Sequence, residues 1–89
     1  MKYVFTKHAK ERMILRRISR KDVINTIKSN EIKALDDDKE NKVAFYGKLS
    51  EKFALKVVTI ESEFEIKIIT VHPINRGRLK NIKSLIEIK

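Results

Sequence analysis

The side chains with the most chemistry to offer in this 89-residue chain are two histidines, two tyrosines and twenty-one Lys or Arg; there is no cysteine. Histidine takes or gives a proton near neutral pH, and arginine and lysine hold anionic oxygens. Both histidines sit in basic company. In the stretch FTKHAKERMILRRIS, His8, Arg12 and Arg16 recur at four-residue spacing, so on a helix they share one stripe. Lys7, Lys10 and Arg17 flank that stripe, and Arg20 and Lys21 follow it. His72 closes an alternating apolar run just before Pro73, with Arg76, Arg78 and Lys80 downstream. Strand ends and loops are where a rigid scaffold places reactive groups. Tyr46 and Lys48 alternate onto one strand face, and Tyr46 is a candidate for stacking on a base; Tyr3 suits the edge of a core. Lys56 projects from an apolar strand, where an amine needs a partner or solvent.

Each group also has a plainer role. His8 and Arg12 can bind a helix to a sheet or pair with Glu11 and Asp22. His72 can be a polar strand end followed by solvated arginines. The carboxylates Asp36, Asp37 and Asp38 are not expected to hold a metal, because three adjacent acids cannot converge on one ion and no histidine lies nearby. No cofactor is expected.

Charge sharpens the choice between these roles. The net charge is +9, unevenly spread. Residues 1–30 carry nine Lys/Arg against Glu11 and Asp22, or +7; residues 31–65 carry six against nine acids, or −3; residues 66–89 carry six against Glu87, or +5. Two basic ends around an acidic middle suit a polyanion if the ends meet in the fold. The alternative is a basic surface that only keeps a small protein in solution. With 42% hydrophobic and 37% charged residues the chain is globular, and its length suits one domain over residues 1–89. No apolar run is long enough to span a membrane. The start MKYVFTKHAK lacks the apolar core of a signal peptide, so a cytoplasmic location is expected.

The elements that must position these groups follow from periodicity. Tyr3–Phe5 suits a short strand or a lead-in. Thr6 is a candidate N-cap for a first helix over Lys7–Arg17. Ser19 is expected to cap a second helix over Arg20–Ser29, with Asp22 completing a capping box and Ile18 stapling onto Val23. Val23, Ile24 and Ile27 form its buried stripe. Beyond Asn30 the period becomes two. Strands are expected over Glu31–Leu35, Val43–Leu49, Phe53–Ile60 and Phe64–His72, with a turn at 36–41 and Pro73 ending the last strand. On Val43–Leu49, Val43, Phe45, Gly47 and Leu49 face one way and Lys42, Ala44, Tyr46 and Lys48 the other. Phe53–Ile60 is apolar enough to be covered on both faces, and Phe64, Ile66 and Ile68 are expected to share a face. Leu79, Ile82, Leu85 and Ile86 suggest a short closing helix. Helices followed by strands predict an α+β domain, with two helices on one face of a three- to four-stranded antiparallel sheet.

The opening T-K-H-A-K-E-R-M, then R-R-I-S-R-K-D-V-I, resembles a small prokaryotic family catalogued as a domain of unknown function, DUF4258. Its members carry an H-A-x-x-R-M helix, then R-G-I-S and a second helix; here Arg17 stands where glycine is usual. The closing I-I-T-V-H agrees as well. The resemblance places the chain near the BrnT-type toxins of the RelE/ParE-like superfamily. It implies a metal-independent endoribonuclease of a toxin–antitoxin system, with RNA, free or on the ribosome, as substrate and an antitoxin protein as partner. Such an enzyme needs a base, an acid and cations for developing charge. His72, Arg76, His8, Arg12 and Tyr46 are the candidates for those roles. Lys7, Lys10, Arg16, Arg17, Arg20, Lys21, Arg78 and Lys80 are the candidates for nucleic-acid contact. For the enzyme, His8 and Arg12 are expected within reach of His72 and Arg76; in the scaffold role, His8 turns inward. The rivals are a non-catalytic nucleic-acid-binding module and a basic domain that meets an acidic protein.

Overall fold

A computed structural model of the chain describes residues 2–29, 32–37 and 42–75. Strand β1 (Lys2–Phe5) passes through Thr6 into helix α1 (Lys7–Arg16), followed by α2 (Arg20–Ser29) and strands β2 (Ile32–Asp37), β3 (Lys42–Lys48), β4 (Phe53–Glu61) and β5 (Glu65–Asn75). The sheet has the order β1-β5-β4-β3-β2; β1 runs parallel to β5 and all other neighbours are antiparallel. The α+β class holds, with both helices packed on one face. The sheet gains a fifth strand because Lys2–Phe5 pairs with Glu65–Ile68 instead of merely leading in.

Local chemistry explains the helix ends. The Thr6 hydroxyl accepts from the Ala9 N–H at 3.1 Å and donates to the Ile69 carbonyl at 3.1 Å, so the cap of α1 is also its tether to β5. At the start of α2 the box is reciprocal: the Asp22 N–H donates to Ser19 Oγ at 3.1 Å and the Ser19 N–H to the Asp22 carboxylate at 3.3 Å. Replacing Ser19 by alanine removes half of that pair and is expected to lower stability by about 1 kcal/mol in urea denaturation.

Helix α1 stops one residue earlier than its periodicity suggests. Arg17 adopts the left-handed conformation, φ 55° and ψ 46°, and is the sole non-glycine with positive φ among the described residues. Its N–H reaches the Ile14 carbonyl, and the Ile18 N–H reaches the Met13 carbonyl at 2.8 Å. This is a complete Schellman closure with arginine in the place that favours glycine. The side chain costs free energy there through the contact of Cβ with backbone. Arg17→Gly is therefore expected to raise stability by about 1 kcal/mol, seen as a higher urea midpoint.

The core lies between the helices and the sheet. Ala9, Met13, Ile18, Val23 and Ile27 meet Phe45, Leu55, Val57, Ile66, Ile68 and Val71. A smaller cluster of Ala44, Tyr46 and Val58, with Ile69 and Ile74, occupies the opposite sheet face, so β4 is buried on both sides. A bulge makes this possible. Val58 pairs with Thr70 and Thr59 with Ile68, which skips Ile69 and keeps Ile66, Ile68 and Val71 all facing the helices. Gly47 marks the closest approach of α2: a Cβ there would lie 3.2 Å from the Thr26 side chain.

Several boundaries differ from those expected. β2 runs on to Asp37, into the acidic run expected to turn, because Asp37 still finds Lys42 as its ladder partner across a register shift. β5 passes through Pro73 to Asn75, with Pro73 paired to Leu55. The pairing of β1 ends at Ile68, so among the described residues no strand pairs with that side of β5 at Pro73, where a missing N–H costs no ladder bond. Phe64 lies in the turn before β5 and is 77% exposed instead of sharing the face of Ile66 and Ile68. The expected closing helix over Leu79–Ile86 lies outside the described residues, as does most of the 36–41 turn.

Candidate functional site

Antiparallel register puts directly opposed residues on the same sheet face. Tyr46 of β3 opposes Lys56 of β4, and Lys56 opposes His72 of β5. A phenol, an amine and an imidazole thus form one row across three neighbouring strands, with opposed Cβ atoms about 5 Å apart. The row lies on the face turned away from α1 and α2, since Leu55, Val57 and Val71 on either side of it point into the helix-side core. Lys56 Nζ stands 5.9 Å from the centre of the Tyr46 ring. Tyr46 is buried, whereas Lys56 and His72 are half-buried. The local sequence makes the row: each member is a polar interruption of an apolar strand, at the parity of the face that α1 and α2 leave bare.

Such a row can perform proton transfer. An imidazole can accept a proton from a hydroxyl, an ammonium can hold a developing negative charge, and a phenol can donate to a leaving oxygen. Tyr46 does not suit the base-stacking role that its position first suggests. With 4% of its surface exposed, and Lys56 against its ring, it has no free face for an incoming base. Lys56, expected to need a partner or solvent, stands at the centre of the row.

The basic helix layer is a second assembly. Lys7, His8, Lys10, Arg16, Arg17, Arg20 and Lys21 are exposed and Arg12 is half-buried. The Arg20 guanidinium is held 4.7 Å above the Phe5 ring. His8 lies in the first turn of α1 with its side chain in solvent, so it does not turn inward as a scaffold histidine would. Nor do His8 and Arg12 join His72. α1 packs on the helix side of β5, and His72 belongs to the other side, so the sheet stands between them. Arg76, Arg78 and Lys80 lie outside the described residues. Among the described residues no cluster of three His, Asp or Glu could hold a metal ion, and no helix is long and apolar enough to cross a membrane.

A family model described as a domain of unknown function, DUF4258, matches residues 5–73, a span that takes in both helices and the whole Tyr46–Lys56–His72 row. No curated protein and no solved structure matches the chain.

Proposed function

We propose that this chain, which belongs to the DUF4258 family, is a toxin-type endoribonuclease of the cytoplasm, akin to the BrnT and RelE/ParE-like toxins and held in check by an antitoxin protein. The observation that carries this reading is the row Tyr46–Lys56–His72. The His72 imidazole takes the proton of a ribose 2′-hydroxyl, and the 2′-oxygen attacks the adjacent phosphorus. The Lys56 ammonium offsets the charge that grows on the non-bridging oxygens. The bond to the 5′-oxygen breaks, and that oxygen takes a proton from water, while buried Tyr46 holds its ring against Lys56. The products are a 2′,3′-cyclic phosphate and a 5′-hydroxyl. Base and cation come from side chains in this scheme.

The test is cleavage of end-labelled RNA, free and on translating ribosomes, with the new ends identified. Cyclic phosphate ends are expected. Fragments ending in 3′-hydroxyl, or no cleavage of either substrate, would overturn the catalytic reading.

A second reading, a nucleic-acid-binding module without catalysis, draws on the cations of α1 and α2, which lie apart from the row. If the helix layer engages about five phosphates of single-stranded RNA, raising salt from about 50 to 200 mM lowers affinity about a hundredfold through lost counterion release. Filter binding across that range checks it, and a flat response removes the polyanion from either reading.

A further inference from the structure

The elbow between α1 and α2 holds a groove of about 570 Å³ lined by Lys10, Met13, Ile14, Ile18, Arg17 and Arg20, together with Ser19. Its floor is aliphatic and its rim is cationic. Lys10, Met13 and Ile14 fall at helical spacings of three and four, so α1 presents them as one stripe, and Arg17 follows at the left-handed turn that closes the helix. Ile14 is 80% exposed, and the neighbouring Leu15 is 67% exposed. Asp22 is tied to the Ser19 N–H and Glu11 lies on the adjoining stripe with Leu15, so two acids stand against the three cations Lys10, Arg17 and Arg20 and the rim stays net positive. One rim cation is held in place, Arg20 over the Phe5 ring, while Arg17 is exposed at the left-handed turn. The arginine at that turn places a charge at the mouth of the groove.

We infer that this elbow is the docking groove for an acidic amphipathic segment of a partner protein, whose Leu or Ile side chains fill the groove while its Glu or Asp side chains meet Lys10, Arg17 and Arg20. Charge complementarity selects that occupant. A second copy of the chain, paired through the same groove, would bring like charges to the same rim. RNA would satisfy the cations but leave the floor of Met13, Ile14 and Ile18 without an apolar or stacking counterpart. The groove lies on the opposite side of the sheet from His72, so partner binding goes beyond the catalytic reading and persists in a protein that cleaves nothing.

The probe is an 18-residue peptide of Glu and Leu, with Leu at positions i, i+3, i+4 and i+7 of each two turns, titrated into the labelled protein and followed by amide NMR shifts. Shifts are expected over Lys10–Arg20 and not along the β3–β4–β5 row. Arg17→Gly is the decisive variant, because it removes the charge while relieving the backbone; it should melt higher and bind the peptide about tenfold more weakly, the loss of one charge-assisted contact. Ile14→Ser, at an exposed site, should weaken binding similarly without loss of fold. The proposal is overturned by any of several results. These are an absence of shifts, equal binding of a Lys/Leu peptide or of a Glu/Ala peptide, the same shifts on concentrating the protein alone, and stronger occupation of these residues by a 12-nucleotide RNA or by phosphatidylserine vesicles.

Discussion

His72→Ala is expected to slow RNA cleavage by about a hundred- to ten-thousand-fold at saturating RNA, the usual contribution of a positioned general base. The expectation rests on register. Lys56 is bracketed by Tyr46 and His72 on adjacent strands, which sets the imidazole beside the ammonium that offsets the phosphoryl charge. Lys56→Gln should lower the same rate while leaving RNA affinity nearly intact, because its charge matters most as negative charge builds on the phosphoryl oxygens. Arg12→Ala, on the other side of the sheet, should weaken RNA binding and spare the single-turnover rate. That split between rate and affinity separates a catalytic row from a merely structural one. Unchanged single-turnover rates in both His72→Ala and Lys56→Gln, with the fold intact by circular dichroism, would sink the assignment of chemistry to this face.

Leu55→Ala is expected to destabilise the domain by about 3–4 kcal/mol, within the range for buried leucines. Leu55 is fully buried on the central strand, between Gly47 of β3 and Pro73 of β5, and faces the helix layer. Gly47 brings no side chain to that row, so neighbouring groups have little with which to refill the space. A domain of this size has a total stability on the order of 5–10 kcal/mol, so the loss takes a large share of it. Leu55→Met, which nearly conserves volume, should cost less than about 1.5 kcal/mol. Ile14→Ser, at an exposed position, should be nearly neutral. Urea denaturation of the three variants checks the series; equal midpoints for Leu55→Ala and Ile14→Ser would mean that the helix–sheet interface is misplaced.

Much of the fold was legible along the chain because the signals are local. Thr6 and Ser19 cap helices through hydroxyls that reach only three residues ahead, and Asp22 answers Ser19 over the same distance. Alternation sorted Phe45 from Tyr46, since successive strand residues must face opposite ways. The basic character of α1 and α2 is likewise a matter of composition, whereas the arginine between the helices stood out only through the resemblance to a family that has glycine there, and it is realised as a left-handed closure at Arg17.

Pairing is a different matter, because it depends on residues far apart in the chain. Tyr3–Phe5 became a strand only because β5 offered it an edge more than sixty residues away. Pro73 stayed within β5 because β1 ends at Ile68, a fact about a neighbouring strand and not about the proline. The bulge at Ile69 decided which residues of β5 face the helices, since one skipped residue inverts every side chain beyond it. For the same reason His8 and His72, each in basic surroundings, could be proposed as neighbours from residue type alone, yet the sheet parts them. The row of Tyr46, Lys56 and His72 was invisible in sequence for the converse reason. Its members are ten and sixteen residues apart, and only the register of three strands sets them side by side.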